Sequence, residues 1–532
     1  MDRILTNAIV HTIDEDNPRA TTIAIDGERI VAVGGDDVRA LADRHTIVED
    51  LQGATVIPGL IDAHIHWEQT AINLSRINLM DVPTKEEAVR RVAEAARNAK
   101  PGEWLQGFGW AQGVWPGGEF PTAADLDAVT PNNPVYLSAR SGHAVWVNSM
   151  ALKVAGVTAS TANPKGGEIQ RDAKGNATGL LLEEANSVVY RAIPTMEAEA
   201  VAAAMEEAQE LAWRSGLTGL HDYDWNLAFE AMQLLHQRGT LGLRILKHIN
   251  VPYIHHAHEL RLRSGFGDDW LRLGGLKIFA DGALGPMTAQ MVEPYEGQPL
   301  NRGMIVTSKA EMLPAVLEAS RKGFPSTIHA IGDEAVRHVL DVYEEVRRDE
   351  AKRGVPPSAM RHRIEHVQII HPDDAARLAE LQIIGSFQPI HATSDYPVAD
   401  RYWGARSRLA YNARIQIDQG VHVAFGSDSP VEPFEPFKGI HAAVTRRRAD
   451  GSPGAEGWYP ETRLTVDEAI RGYTEGPAWA AGMEDRQGRL APKFLADLIV
   501  LDRDPYAIDP HDLLNVGVMK TMIGGEWKFG DD

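Results

Sequence analysis

The chain of 532 residues contains no cysteine. This absence excludes a disulfide scaffold, a thiolate metal site and a cysteine nucleophile. Any transition-metal site must therefore be built from histidine and carboxylate side chains. The sequence also lacks an apolar run of the ~18–20 residues that a membrane span requires. Its first residues, MDRILTNAIVHTID, lack the basic and apolar regions of a secretory signal. We expect a soluble, cytoplasmic protein.

Positive charge is scarce as well, because 53 Lys and Arg stand against 74 Asp and Glu, for a formal net charge of −21. This excess of negative charge disfavours nucleic acid or an anionic membrane as the main partner. We expect a small-molecule substrate, with a homodimer as the candidate assembly. The length points to more than one domain, unless one of them is a barrel with insertions.

The two ends of the chain share a pattern of short apolar runs separated by turns. The pair Asp26-Gly27, between two such runs, is a hairpin signal. The segment after residue 485 again alternates apolar runs and turns. We predict that residues 1–57 and 485–532 form one small sheet domain.

The middle of the chain, residues 58–484, alternates short apolar runs with helical patterns. One run ends at His64, and the others lie at 217–223, 243–251, 273–282, 324–333, 361–369, 383–389 and 421–430. Strands that alternate with helices indicate βα units and a parallel sheet. Eight strands are the number of a closed (β/α)8 TIM barrel, and a doubly wound open sheet is the alternative.

Two stretches exceed a simple barrel. A long insertion, about residues 67–205, follows the first strand, and a shorter one, 282–307, follows the fourth. Both leave the carboxyl ends of strands, the face at which such barrels build their sites. We expect them to shape a substrate pocket.

Potential metal ligands stand at or near the ends of five of these strands. They are His64, His66, Lys277, His329, His366 and Asp428. A metal ion needs several donors at ~2.0–2.2 Å, and the strand ends of a barrel converge on one mouth. Each residue alone is compatible with a rim hydrogen bond or a helix cap, but together they predict a metal site. Four imidazoles and a carboxylate suit Zn²⁺, with Mn²⁺, Fe²⁺, Co²⁺ or Ni²⁺ also compatible.

Lys277 stands apart because its neighbours in LGGLKIFA are apolar. An ammonium group is costly in such a place. In one interpretation the side chain reaches towards solvent or pairs with Asp281. In the other, a neutral amine reacts with CO₂, and the two oxygens of the resulting carbamate bridge two cations.

Several phrases in the chain resemble those of a known family. They are PGLIDAHIH, LKIFADGALG, IHAIGD, RHRIEH, FQPIHATSD, FGSDSPV and SGHAVWVNS. They are similar to the amidohydrolase superfamily, and in particular to its YtcJ-like branch, which includes N-substituted formamide deformylase. The resemblance implies a TIM barrel with a composite β-sandwich built from both termini. It also implies that His64, His66 and Asp428 hold one metal, that His329 and His366 hold a second, and that carboxylated Lys277 bridges them, with one or two ions needed.

The ligand set predicts a reaction as well as a site. A metal-bound water has a pKa lowered towards ~7, which gives hydroxide at neutral pH, and Asp428 would shuttle its proton to the leaving group. The leading hypothesis is a metal-dependent amidohydrolase that cleaves a C–N bond, of amide or formamide type, in a small organic substrate. The alternatives are a deaminase or a lactone or carbamate esterase on the same site, or a non-catalytic binding or regulatory relative.

Four residues are predicted to contact the substrate. His143, in the insertion, has the alternative role of an ordinary loop histidine, and His391, just past the seventh strand, is placed to bond a carbonyl or a leaving group. Trp67 and Trp110 indicate an apolar part of the substrate, or else the core of the insertion itself.

Overall fold

The computed structural model describes residues 1–80, 82–139, 144–164, 167–183 and 185–530 of the chain. It divides into two compact units, one made of Met1–Thr70 with Val201–Asp532 and the other of Ala71–Ala200. Within the described residues, the strands form four sheets. None of the helices in these ranges has the length and apolar character that crossing a lipid bilayer requires.

The largest sheet has eight strands, and each pairs in parallel with its neighbours along the chain. We number them β1 to β8: Leu60–Ile65, Leu217–Asp222, Arg244–Asn250, Leu271–Phe279, Ser326–Ala330, Arg363–His366, Ile384–Phe387 and Val423–Phe425. A doubly wound sheet reverses its strand order at a switch point, whereas this order runs from β1 to β8 without reversal. The open-sheet alternative is therefore excluded.

The first and last strands of this sheet are joined by backbone hydrogen bonds just beyond β8. The amide of Asp428 donates to the carbonyl of His64 at 2.7 Å, and the amide of His66 donates to the carbonyl of Ser429 at 2.9 Å. These bonds bring together the two edges of the sheet, as barrel closure requires. The predicted TIM barrel is confirmed.

Helices follow the barrel strands and also occur in the other parts of the chain. Across the described residues, the α-helices are Asp36–Arg39, Trp67–Ser75, Lys85–Asn98, Ala123–Asp127, Ser149–Val154, Asn186–Tyr190, Ala198–Arg214, Asn226–Arg238, Val251–Glu259, Lys309–Lys322, Asp333–Lys352, Arg377–Glu380, Pro389–Trp403, Ala413–Asp418, Pro436–Thr445, Val466–Gly472 and Glu475–Ala481.

Two further sheets are built from the terminal parts of the chain, and the second of them combines strands from both ends. One consists of Arg3–Thr6, Thr22–Asp26, Arg29–Gly34 and Ile47–Asp50. The other consists of Ile9–His11, Arg19–Ala20, Thr55–Pro58, Leu498–Leu501, Val518–Ile523 and Glu526–Phe529. Leu5 and Ile25 of the first sheet share one buried cluster with Val56 and Leu498 of the second. The two sheets therefore form a β-sandwich in which residues close to both termini pack together.

The unit of Ala71–Ala200 has a sheet and a core of its own. Its strands, in spatial order, are Gly167–Arg171, Ala177–Glu183, Ala144–Val147, Val135–Ala139, Leu105–Trp110 and Ile77–Asn78. Trp110, Trp115 and Trp146 are buried in its core, with ring centroids 6.0–6.3 Å apart. Aromatic burial of this kind stabilises the unit from within.

A buried polar network joins two helices to the amino ends of β5 and β6. Glu350, which is 1% exposed, accepts hydrogen bonds from Ser320 Oγ at 2.6 Å and from His362 Nε2 at 2.9 Å. His362 Nδ1 accepts the backbone amide of Ser326, the first residue of β5, at 3.0 Å. This is the face of a barrel at which side chains serve stability rather than chemistry.

We expect Glu350→Ala to lower the free energy of unfolding by about 3–5 kcal/mol, because it leaves buried polar groups without their partner. Urea denaturation followed by circular dichroism measures the change. Glu345→Ala is the matched control, since Glu345 lies on the same helix with a 54% exposed side chain, and we expect an effect within about 0.5 kcal/mol. Equal losses in the two variants would contradict this role of Glu350.

Candidate metal centre

The two histidines at the end of β1 are held by carboxylates from other parts of the barrel. His64 Nδ1 lies 2.7 Å from Glu365 Oε2, and His66 Nδ1 lies 3.1 Å from Asp224 Oδ1. Both Nε2 atoms are 3.5 Å from Asp428 Oδ1. The ligating atoms of these two histidines and Asp428 lie within 4.8 Å of one another, so they form a group able to hold a metal ion.

Asp428 is held in place by the loop that follows β8. Gly426 lies so close to β1 that a Cβ atom there would be 2.4 Å from the backbone nitrogen of His64. The buried carboxylate of Asp62, on β1, accepts the hydroxyl of Ser427 at 2.6 Å and the Ser427 amide at 3.1 Å. These contacts hold the loop that carries Asp428 against the strand that carries His64 and His66. Burial raises the pKa of Asp428, but the rings of His391 and His66, whose Nε2 atoms each lie 3.5 Å from the carboxylate, hold it well below its usual range.

His366 and His391 form a second group with Asp428. The ligating atoms of these three residues also lie within 4.8 Å of one another. His366 Nδ1 is 2.7 Å from Gln388 Oε1, and His391 Nε2 is 3.5 Å from Asp428 Oδ2. Burial, with His329 as the next cause, lowers the pKa of His366 well below its usual value. The neutral imidazole is the form that binds a metal.

His329 lies beside this group without belonging to either cluster of three. Its ring is edge-on to that of His366, with centroids 4.6 Å apart. Its Nε2 lies 2.9 Å from the carbonyl of Gly282, which it donates to, so Nδ1 keeps the free lone pair. Burial and then Lys277 lower its pKa to about 3. Its role as a ligand stays a prediction, and the structure adds His391 to the histidines around Asp428.

Lys277 lies in β4 with its amine buried. Its Nζ is 4.5 Å from the ring centroid of Tyr223 and 4.6 Å from that of Phe279, and within the described residues it has no hydrogen-bond partner. Burial lowers its pKa to about 8, while Glu365 and Asp428 act in the opposite direction. A larger share of neutral amine is therefore present at neutral pH than for an exposed lysine, as reaction with CO₂ requires.

Three acceptors that the sequence analysis missed orient the histidines. They are Glu365 in β6, Asp224 just after β2 and Gln388 just after β7. Glu365 is also paired with the buried Arg363, whose Nε lies 2.9 Å away. Burial raises the pKa of Glu365, but Arg363 and then His64 hold it well below its usual range. Their position could have indicated this role, because each is a polar residue at or just after the carboxyl end of a barrel strand.

Two of the residues predicted to contact substrate, Trp67 and Trp110, are buried in different parts of the fold. Trp67 is 1% exposed and meets Phe434 edge-on at 6.3 Å, and its amide donates to Asp222 at 2.9 Å. Trp110 is fully buried, and its Nε1 donates to the carbonyl of Leu137 at 2.8 Å. The structure gives both rings a packing role, so their contact with substrate stays a prediction. His143 lies outside the described residues.

The donors at the barrel mouth fit a divalent metal ion. Imidazole and carboxylate are ligands for zinc and for other divalent first-row metals. His64, His66 and His366 each have Nδ1 beside an acceptor, which fixes the proton there and leaves the Nε2 lone pair free to bind the ion. This arrangement is that of histidines prepared as metal ligands.

Comparison with known proteins identifies the family. A sequence model of the amidohydrolase family matches residues 48–527, so the chain belongs to this family. It is 32% identical to YtcJ of Bacillus subtilis (strain 168) over 539 residues, which cover 99% of both proteins. It is 30% identical to the N-substituted formamide deformylase of Arthrobacter pascens, with 99% of this chain and 98% of that protein covered.

A solved structure has a similar fold. An uncharacterized metal-dependent hydrolase from Pyrococcus furiosus superposes with a TM-score of 0.78 at 28% identity, covering 95% of this chain and 99% of that one. The family and this match support a metal-dependent hydrolase. The resemblance noted in the sequence is confirmed.

We expect Glu365→Gln to weaken metal binding by about 10–100-fold, because loss of the acceptor's charge makes His64 a poorer ligand. Competition with a chromogenic chelator measures the affinity without any substrate. Glu345→Gln, at an exposed glutamate on the helix Asp333–Lys352, is the control and should bind metal as the wild type does. An unchanged affinity in Glu365→Gln would show that the Glu365–His64 contact does not support a metal ligand.

Proposed function

We propose that this hydrolase cleaves the C–N bond of a small amide of the N-substituted formamide type. The observation that carries the proposal is that Asp428 belongs to two groups of potential ligands, one with His64 and His66 and the other with His366 and His391. Similarity to a formamide deformylase along 99% of the chain supports this class of substrate.

The metal ligands in this proposal are His64, His66 and Asp428, with His329, His366 and Lys277 for a second ion. A divalent ion bound there, with zinc as the candidate, would polarise the substrate carbonyl and lower the pKa of a water molecule. The chain would orient the ligands through Glu365, Asp224 and Gln388, whose hydrogen bonds hold the histidine rings.

Asp428 would move the proton in this reaction. Its depressed pKa keeps the carboxylate ionised at neutral pH, which is the form that accepts a proton from the attacking water. The leaving amine needs a proton to depart, and Asp428 would return it. One carboxylate therefore serves as base in the first half of the reaction and as acid in the second.

His391 would bind the substrate rather than a metal. Unlike His64, His66 and His366, it has no acceptor within hydrogen-bonding distance of Nδ1 among the residues that the structure describes, since Asp395 is 4.0 Å away. Its tautomer is therefore not fixed, and its Nε2 is free to donate to a substrate carbonyl or to the leaving group. The ring is 5% exposed and contacts the carboxylate that moves the proton.

We expect Asp428→Ala to lower kcat/KM for an N-substituted formamide by about 10³-fold or more, because it removes the proton shuttle and a ligand together. His64→Ala should do the same. Rates are measured on metal-reconstituted protein against a panel of N-formyl, N-acyl, lactone and amino-heterocycle substrates.

The control is Asp373→Ala, since that side chain is 83% exposed. Circular dichroism shows whether each variant keeps its fold. Full activity in Asp428→Ala would contradict the mechanism. Turnover of lactones or amino-heterocycles alone would replace the amide proposal with an esterase or a deaminase, and no turnover with bound metal would favour a binding protein.

We expect the metal-loaded protein to carry a carbamate on Lys277, because its buried amine has a pKa lowered to about 8. Growth of a ¹³C carbamate signal in the NMR spectrum after addition of ¹³C-bicarbonate measures the modification. Lys277→Met is the control and should lack the signal. A wild-type protein without it would remove the bridge and point to a single ion.

A further inference from the structure

A small internal cavity of about 20 Å³ lies next to His366. Its lining includes His366, Gln368, Gln388, Tyr411 and Arg446. Arg446 follows the helix Pro436–Thr445 after β8, the other four come from the ends of β6 and β7 and the segments that follow them, and each is less than 8% exposed. A cavity of this size accommodates a water molecule or a small ion.

Arg446 brings a positive charge to this cavity. It is 3% exposed, and its Nη1 and Nε donate to the backbone carbonyls of Tyr411 at 2.8 Å and of Trp458 at 3.2 Å. Its third group, Nη2, has no hydrogen-bond partner among the residues that the structure describes, and no carboxylate of those residues lies within 4.0 Å of the guanidinium. Burial lowers the pKa of Arg446 to about 10, so the group stays charged at neutral pH.

Gln388 brings a second hydrogen-bond donor. Its Oε1 accepts from His366 Nδ1, which fixes the orientation of the amide. Its Nε2 is then left without a partner among the described residues, although the side chain is only 4% exposed. The side-chain atoms that stay unsatisfied on the lining of the cavity are therefore both donors, on Arg446 and Gln388.

The unpaired donors and the unpaired positive charge at this cavity both favour a ligand that accepts hydrogen bonds and carries a negative charge. A water molecule would accept both hydrogen bonds but would leave the guanidinium without a counter-charge, and a buried charge without one is costly. We propose that the cavity binds a small monovalent anion, between Arg446 Nη2 and Gln388 Nε2.

Two anions share this chemistry. Chloride is available from the medium, and formate is released when an N-substituted formamide is hydrolysed. The formate source rests on the proposed function, whereas the chloride source does not. Either anion would hold the amide of Gln388 in place and, through it, the ring of His366. The anion would thus stabilise the fold and support a metal ligand without touching the metal.

Crystals of the metal-loaded protein grown in sodium bromide provide the direct test. We expect an anomalous peak at the bromine absorption edge, in the cavity and within hydrogen-bonding distance of Arg446 Nη2 and Gln388 Nε2. Formate density at the same place, in crystals grown in sodium formate, would also support the site and would identify the second source. A water molecule in the cavity under both conditions would overturn the proposal.

Thermal unfolding provides the test in solution. We expect the Tm of the metal-loaded protein to rise by about 2 °C and to saturate with chloride or formate, but not with gluconate at the same ionic strength. Arg446→Lys keeps a positive charge without Nη2 and should lose the rise, while Arg447→Lys, at the neighbouring residue, should keep it. Equal curves for all three salts would contradict the proposal. If Arg446→Lys does not fold, the wild-type curves and the bromide peak still decide.

An absence of formamide turnover would remove the formate source alone. The bromide peak and the chloride-dependent rise in Tm would remain, so failure of the proposed function and failure of the anion site are distinguishable.

Discussion

The contact between Asp428 and the end of β1 is the interaction on which the barrel and its candidate site both depend. The backbone of Asp428 closes the sheet by its bond to His64, and its side chain belongs to two groups of potential metal ligands. Closure of the barrel therefore also assembles the site, because without it Asp428 would not lie next to His64 and His66. The close approach of Gly426 and the hydrogen bonds that Ser427 donates to Asp62 stabilise this one contact.

Much of the fold was predictable from local patterns. Apolar runs that alternate with helical patterns predict the eight strands, and each run ends close to where the structure ends its strand. The polar residues at those ends predict a convergent site, because the mouth of a barrel gathers them irrespective of their distance along the chain. His64, His66, His366 and Asp428 were found in this way.

The parts that escaped prediction depend on contacts between distant segments. In the sequence, Glu365 has the pattern of an ordinary strand residue, and only the fold places it 2.7 Å from His64. The buried Arg363 holds Glu365 ionised and also donates to the carbonyl of Ala63 in β1, which is 300 residues away in the sequence. Trp110 was open to two interpretations because a cluster of aromatic residues in sequence does not reveal which face becomes buried. His391 was expected to contact substrate, but its position against Asp428 needed the helix Pro389–Trp403 to be seen in place.

The pairing of both termini in the sandwich has a consequence for the synthesis of the protein. Thr55–Pro58 is a fully buried strand whose partner, Leu498–Leu501, is made about 440 residues later. At ~5–20 residues per second, the second strand follows the first by roughly 20–90 s. During that interval the nascent chain displays an apolar strand with an unsatisfied edge, a recognised target for aggregation and for chaperones. Because Thr55–Pro58 is synthesised long before Leu498–Leu501, this early strand reaches its final partner late in folding.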